Sequence, residues 1–124
     1  MSGESTAGRG VTGKATAGRG VHGEATSGTG GHFTATTGTA LQAVGPVRFS
    51  SAGLATIPAG SKSVTVAPGL DITAATKVLA TLQTSPGPTT TIQRVSRNAT
   101  ADTFTIWLTA NASANTTVAW FVIS

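Results

Sequence analysis

Six side chains of this 124-residue chain have the types needed for acid–base or metal chemistry: Glu4, Glu24, Asp71, Asp102, His22 and His32. Glycoside hydrolysis requires two carboxyl groups about 5–10 Å apart across a cleft. Glu4 and Glu24 stand two repeats apart in a periodic segment, and Asp71 and Asp102 fall among turn residues. Neither pair is set up for that role by its spacing; a hydrolytic site would have to be assembled across subunits. His22 and His32 share one column of the repeat. In a trimer each would recur three times around the axis, and pointing inward the three imidazoles would suit a metal or an anion. Pointing outward they are solvated surface groups, which is the orientation expected here. The chain has no cysteine, no Gly-x-Ser-x-Gly elbow and no phosphate loop. The expectation is therefore no catalytic, cofactor-binding or metal residues, and no enzyme.

The elements that must position these groups begin with residues 3–42, four tandem copies of a ten-residue phrase: GESTAGRGVT, GKATAGRGVH, GEATSGTGGH and FTATTGTALQ. A fixed period marks a repeat architecture. The pattern decays in the last copy, where the first glycine becomes Phe33 and the third becomes Ala40, and its apolar column reads Val11, Val21, Gly31, Leu41. Burying Val11, Val21, Phe33 and Leu41 would contribute roughly 6–12 kcal/mol. Ordering some forty backbones costs on the order of 40–80 kcal/mol, with glycine the most expensive residue. The segment is not expected to fold alone.

The glycine spacings of five, two and three exclude a collagen triple helix, which needs glycine at every third position. A single-chain solenoid would need more turns and better apolar columns, and a calcium-binding repeat would need Asp, which these residues lack. The option that remains is an interwound trimer, with three copies forming a β-prism. Val and Leu would meet on the axis, Thr6, Thr16, Thr26 and Thr36 would face outward, and glycines would turn corners or let backbones approach. The competing reading is a flexible Gly/Ser/Thr linker, which has no reason to hold a register.

Twelve of the sixteen glycines precede residue 46, so composition alone divides the chain at Gly45-Pro46. The net charge of +4 comes from dispersed groups: Arg9, Lys14 and Arg19 along the repeat, Arg94 and Arg97 near the end. Nucleic-acid binding needs a dense basic stripe, so no nucleic-acid partner is expected. No apolar run approaches the ~20 residues of a membrane span, and the start lacks the apolar core of a signal peptide.

Leu41, Val44, Val47 and Phe49 could plug the junction between repeat and head. From Val47 on, short strands are predicted at 47–50, 53–57, 63–67, 77–84, 90–97, 103–109 and 116–123, between Pro-, Gly- and Asn-rich breaks. Residues 71–77 have the pattern of a single turn. Phe104, Ile106 and Leu108 oppose Trp107, while Val118, Trp120 and Val122 oppose Phe121 and Ile123. Two apolar faces on the last strands suggest a protomer core on one side and a threefold contact on the other. The plainer alternative is a two-sheet sandwich with the last strand central. Trp107 and Trp120 are assigned mainly to packing, with sugar stacking as the alternative. Three Asn-x-Ser/Thr sequons, at Asn98, Asn111 and Asn115, follow from a Thr-rich composition. The Thr-x-Thr runs are too short for a flat ice-binding array.

The phrase Gly-Val-x-Gly-x-(Ser/Ala)-Thr-x-Gly-x-Gly-Val, followed by Ala40-Leu-Gln-Ala-Val-Gly-Pro-Val-Arg-Phe-Ser50, resembles the repeat tails of uncharacterised bacterial and phage proteins. There the repeat leads into a segment similar to 78–83 and 118–123. More broadly the chain resembles the β-helical shafts of trimeric phage tail fibres and tail spikes, over nearly its whole length. The resemblance implies an all-β protein with an interwound trimeric β-helix or β-prism shaft at 1–45. A small antiparallel β-sandwich head, jelly-roll-like, would follow at 46–124 and drive trimerisation. It implies a homotrimeric structural and adhesive fibre in a virion tail or at a bacterial cell surface, without cofactors. Its partners would be two further copies of itself and a cell-surface glycan or host receptor. The alternatives are a carbohydrate-binding or carbohydrate-processing spike tip, or a trimerisation module without a ligand. Phage spikes often cleave glycans, and no motif here matches such a site.

Overall fold

The computed structural model describes residues 3–4, 6–7 and 10–123; Ser5, Gly8 and Arg9 of the first repeat lie outside the described residues. The chain divides into two compact units, Met1–Pro46 and Val47–Ser124.

In the first unit, residues 10–46 contain neither strand nor helix, and bends recur at 16–18, 26–28 and 36–38. The glycine columns have separate jobs. Gly18, Gly28 and Gly38, the middle glycine of successive copies, hold φ of 85°, 85° and 86°, a left-handed turn that a side chain resists. The first and third glycines abut: a Cβ on Gly13 would lie 2.3 Å from the Gly20 carbonyl oxygen, and one on Gly23 equally close to that of Gly30. The second and third copies are thus loops pinched shut seven residues apart, where nothing larger than glycine fits; in the fourth copy Phe33 and Ala40 stand at those two positions. The apolar column remains open. Val11, Val21, Phe33 and Leu41 are between 62% and 73% exposed.

The second unit is all-β. Its strands are β1 (Ala52–Ile57), β2 (Ser63–Val66), β3 (Lys77–Leu82), β4 (Ile92–Asn98), β5 (Thr103–Leu108) and β6 (Thr116–Ile123). They form two three-stranded sheets, sheet I in the order β1-β6-β3 and sheet II in the order β2-β5-β4, with every pair antiparallel. Only β4 and β5 are joined as a hairpin; every other connection passes from one sheet to the other. Six strands form where seven are predicted, fewer than a jelly roll has. The missing strand is 47–50. Ala52 lies opposite Phe121, so continuing the register would set Ser50 opposite Ile123, where β6 ends, and leave 47–49 without a partner strand.

The core lies between the sheets. Alternation along β5 buries Phe104, Ile106 and Leu108, while Val118 and Val122 do the same from β6. Ile57 and Ile72 complete it, each such side chain contributing about 1.5–3 kcal/mol by leaving water. Trp120 also turns inward, and its cross-strand neighbours on both sides are small: Gly53 on β1 and Ala80 on β3. A Cβ on Gly53 would sit 2.6 Å from the indole. The ring meets Phe104 edge-on at 5.5 Å between centroids. Burial leaves Trp120 Nε1 without a hydrogen-bond partner, an uncompensated donor inside the sandwich.

Side chains tie the loops across the two ends. At one end the Ile72 amide donates to Asp102 Oδ1 at 3.0 Å, and Arg97 donates to the carbonyls of Ala74 and Thr76. The 71–77 segment makes a single turn, with the Thr73 amide donating to Thr76 Oγ1 at 2.9 Å. At the other, the Ser113 amide donates to Pro86 O at 2.9 Å and the Ala59 amide to Asn115 Oδ1 at 3.0 Å.

Candidate functional site

The residues singled out for chemistry do not assemble into one centre. Asp102 occurs at φ 51° in the β4–β5 turn, and one of its oxygens is taken by the Ile72 amide. That bond brings Asp71, next to Ile72 in the chain, to the same end of the sandwich. Asp71 there borders a shallow hollow with Ser51, Leu70 and Thr76. In the repeat unit Glu24 and Glu4 are exposed, and His22 Nε2 lies 3.9 Å from Glu24 Oε2, both side chains more than half exposed. His32 is exposed and borders an open groove with Val11, Val21 and Phe33, on the apolar column's side rather than opposite it. Among the described residues no group of three or more His, Cys, Asp or Glu comes together as a metal site, and no helix is long and apolar enough to cross a membrane.

The basic pair of the sequence is split. Four positions on from the bulge that begins β4, Arg97 has turned towards the end of the sandwich and is consumed by loop carbonyls. Arg94 stands on the outer face of sheet II, its guanidinium carbon 4.9 Å from the centroid of the Trp107 ring. Trp107 is not a core residue. Its Nε1 donates to Ser96 Oγ at 3.0 Å, and its cross-strand neighbours are Arg94 and Ser63. Around it the face is hydroxyl-rich: Thr65 and Thr105 are hydrogen-bonded to each other at 2.8 Å. Sequence alternation missed this cluster because the register shifts between Ile92 and Arg94, leaving Gln93 unpaired and moving Arg94 onto the face of Trp107.

The outer face of sheet I has the opposite character. Leu79, Phe121 and Ala52 lie in one cross-strand row, and Thr81, Ala119 and Leu54 in the next. Leu54 is 68% exposed and Leu79 52%. Phe49, just ahead of β1, packs its ring against Phe121 with centroids 5.1 Å apart. The charged group at this face is Lys77, opposite Ile123 at its margin, and its Nζ is drawn aside to Ala75 O at 3.1 Å. The head thus has one wet outer face with a single aromatic and one dry outer face with several apolar side chains.

No protein-family model matches this chain, and no curated protein or solved structure shows a significant similarity to it.

Proposed function

We propose that this chain is a structural and adhesive homotrimeric fibre segment, of the kind that ends a phage tail fibre or a bacterial surface appendage. Residues 1–45 are the shaft, wound with two further copies as a β-prism, and 46–124 the head. One observation carries the reading. Three successive copies repeat one left-handed bend, at Gly18, Gly28 and Gly38, yet Val11, Val21 and Leu41 of the apolar column are each more than 60% exposed in the single chain. A linker gains nothing from such a column, whereas three chains around an axis bury it. The pinched glycines suit this role, since they bring backbone close to backbone and leave room for the Val11 and Val21 side chains, which lie over Gly3 and Gly13.

Adhesion then works through avidity. Three identical weak sites on one stalk act at high effective concentration and bind far better than one. Light scattering on the purified chain tests the assembly: the expected mass is three times the 12.2 kDa of one chain. A single monodisperse species at 12.2 kDa up to high concentration overturns it.

A second reading, a carbohydrate-binding tip, is favoured by Trp107 on the wet face beside Arg94 and Ser96. With Arg94 over the ring and Ser96 at its edge, a sugar would stack on the ring face away from the guanidinium or take its place, with hydroxyls close by for the sugar's own. Binding on a glycan array that vanishes in Trp107→Ala, with the mass unchanged, would establish it. Silence across glycans and whole cells would leave a trimerisation module.

A further inference from the structure

We propose that the dry outer face of sheet I, centred on Phe121 between Leu54 and Leu79, is where the head meets two further copies of this chain. The inference rests on the homotrimer reading and gives it a specific contact in the head.

Area and charge both select this occupant. The exposed apolar surface of Phe49, Leu54, Leu79, Phe121 and Ile123 is on the order of 500 Å², at the upper end of what a monomer leaves open. It would serve as the apolar centre of an interface that needs about 800 Å² from each partner. The chain carries a net charge of +4, so copies repel one another wherever their basic groups meet. Arg94 and Arg97 lie on the other sheet, and Lys77 sits at the margin of sheet I with its ammonium turned to a backbone carbonyl. Lys77 at the margin and Arg48, next to Phe49 in the chain, leave the centre of the face, from Leu54 across Phe121 to Leu79, without a basic side chain, and there like copies can approach. The row of Ala52, Phe121 and Leu79 carries no carboxylate to recruit a basic partner; Asp71 lies at the edge, in the hollow beside Ile123, and Thr81 belongs to the adjoining row.

Topology fits a cyclic contact. Because β6 is the central strand, Phe121 can point towards a threefold axis while β1 and β3 flank it on opposite sides. A cyclic trimer repeats one heterologous contact around the axis. Leu54 would then face Leu79 of the partner subunit, and the same pairing would close the ring. Phe49, stacked on Phe121, widens the apolar centre.

The test uses the full chain and its lack of cysteine. In Leu54→Cys/Leu79→Cys, mild oxidation is expected to give a covalent trimer on denaturing gels, whereas Ser63→Cys/Ser96→Cys on the wet face gives none. Leu79→Glu is expected to weaken assembly at least tenfold by sedimentation, with unchanged circular dichroism, and Leu79→Ala serves in its place should the charge prevent folding. Wild-type chain at trimer mass, with variants that assemble normally and do not cross-link, overturns this contact while leaving the shaft as the seat of assembly. Wild-type chain at 12.2 kDa overturns both readings. Monomers that instead bind neutral phosphatidylcholine vesicles, with binding lost in Leu79→Glu, would overturn it in favour of a lipid surface.

Discussion

The outer faces of sheets I and II come from central strands with the same inward habit. β5 buries every second side chain from Phe104 to Leu108, and β6 does so at Thr116, Val118 and Val122. Outward they part. β5 shows threonine, threonine and tryptophan, flanked by Ser63, Thr65, Arg94 and Ser96, with Thr65 hydrogen-bonded to Thr105 and Trp107 to Ser96. β6 shows Ala119, Phe121 and Ile123, flanked by Leu54 and Leu79, and their neighbours across the strands offer them little cover. An antiparallel sheet with one solvated side alternates apolar and polar residues cleanly, and sheet II obeys that pattern. Sheet I departs from it in the direction that costs solubility. A departure of this kind marks where a molecule expects to be covered.

The contrast can be broken from its shared support outward. Phe104→Ala removes the ring on which Trp120 and the rest of the core rest, and should cost about 3–5 kcal/mol in urea unfolding. Both faces should be lost together in that variant; survival of either would mean that the sheets are supported separately. Gly53→Val places a side chain where the indole of Trp120 lies, and about 1–3 kcal/mol of destabilisation is expected from thermal melts. Because Gly53 belongs to sheet I, association should suffer while the Trp107 signal in fluorescence stays as it was.

Smaller effects sharpen the comparison. Trp120→Phe keeps an aromatic ring beside Phe104 and removes a buried donor that has no acceptor, so the lost area and the relieved desolvation should cancel to within about 1 kcal/mol. A much larger loss would mean that Nε1 has an acceptor in the assembled protein. Trp107→Ala should cost less than about 1 kcal/mol, the worth of a surface stack on Arg94 and one hydrogen bond. Should it instead match Phe104→Ala in a melt, the wet face would have to be redrawn as core.

The strand pattern of the head was legible because strands such as β1, β3 and β5 alternate inward and outward side chains. Residues 103–109 and 116–123 showed their buried and outward sets, and β6 is indeed a central strand of a two-sheet sandwich. Three things were not legible, each for a local reason. Residues 47–50 have strand-like composition, yet pairing depends on where β6 ends, which no property of Val47 or Phe49 reveals. The shift at Gln93 changes the parity of β4 after Ile92, so the sequence did not show that Arg94 would be the one on the outer face and Arg97 the one turned to the loop carbonyls. Trp107 and Trp120 have similar apolar neighbourhoods in the chain; what separates them is the small pair Gly53 and Ala80, sixty-seven and forty residues away from Trp120. In the repeat, the period announced that the glycines matter, while the split into a turning column and two abutting columns emerged only from the backbone.

The placement of β6 also fixes the order in which the head can be made. β1 and β3 have no ladder between them until β6 arrives, whereas β2, β4 and β5 can close sheet II beforehand. Non-local pairing of this kind is slow, since loop closure must precede any contact that rewards it. Pulse-labelled amide exchange should find β5 protected before β6. Sheet I, and with it the apolar outer face, can therefore form only after β6 has paired, later than sheet II.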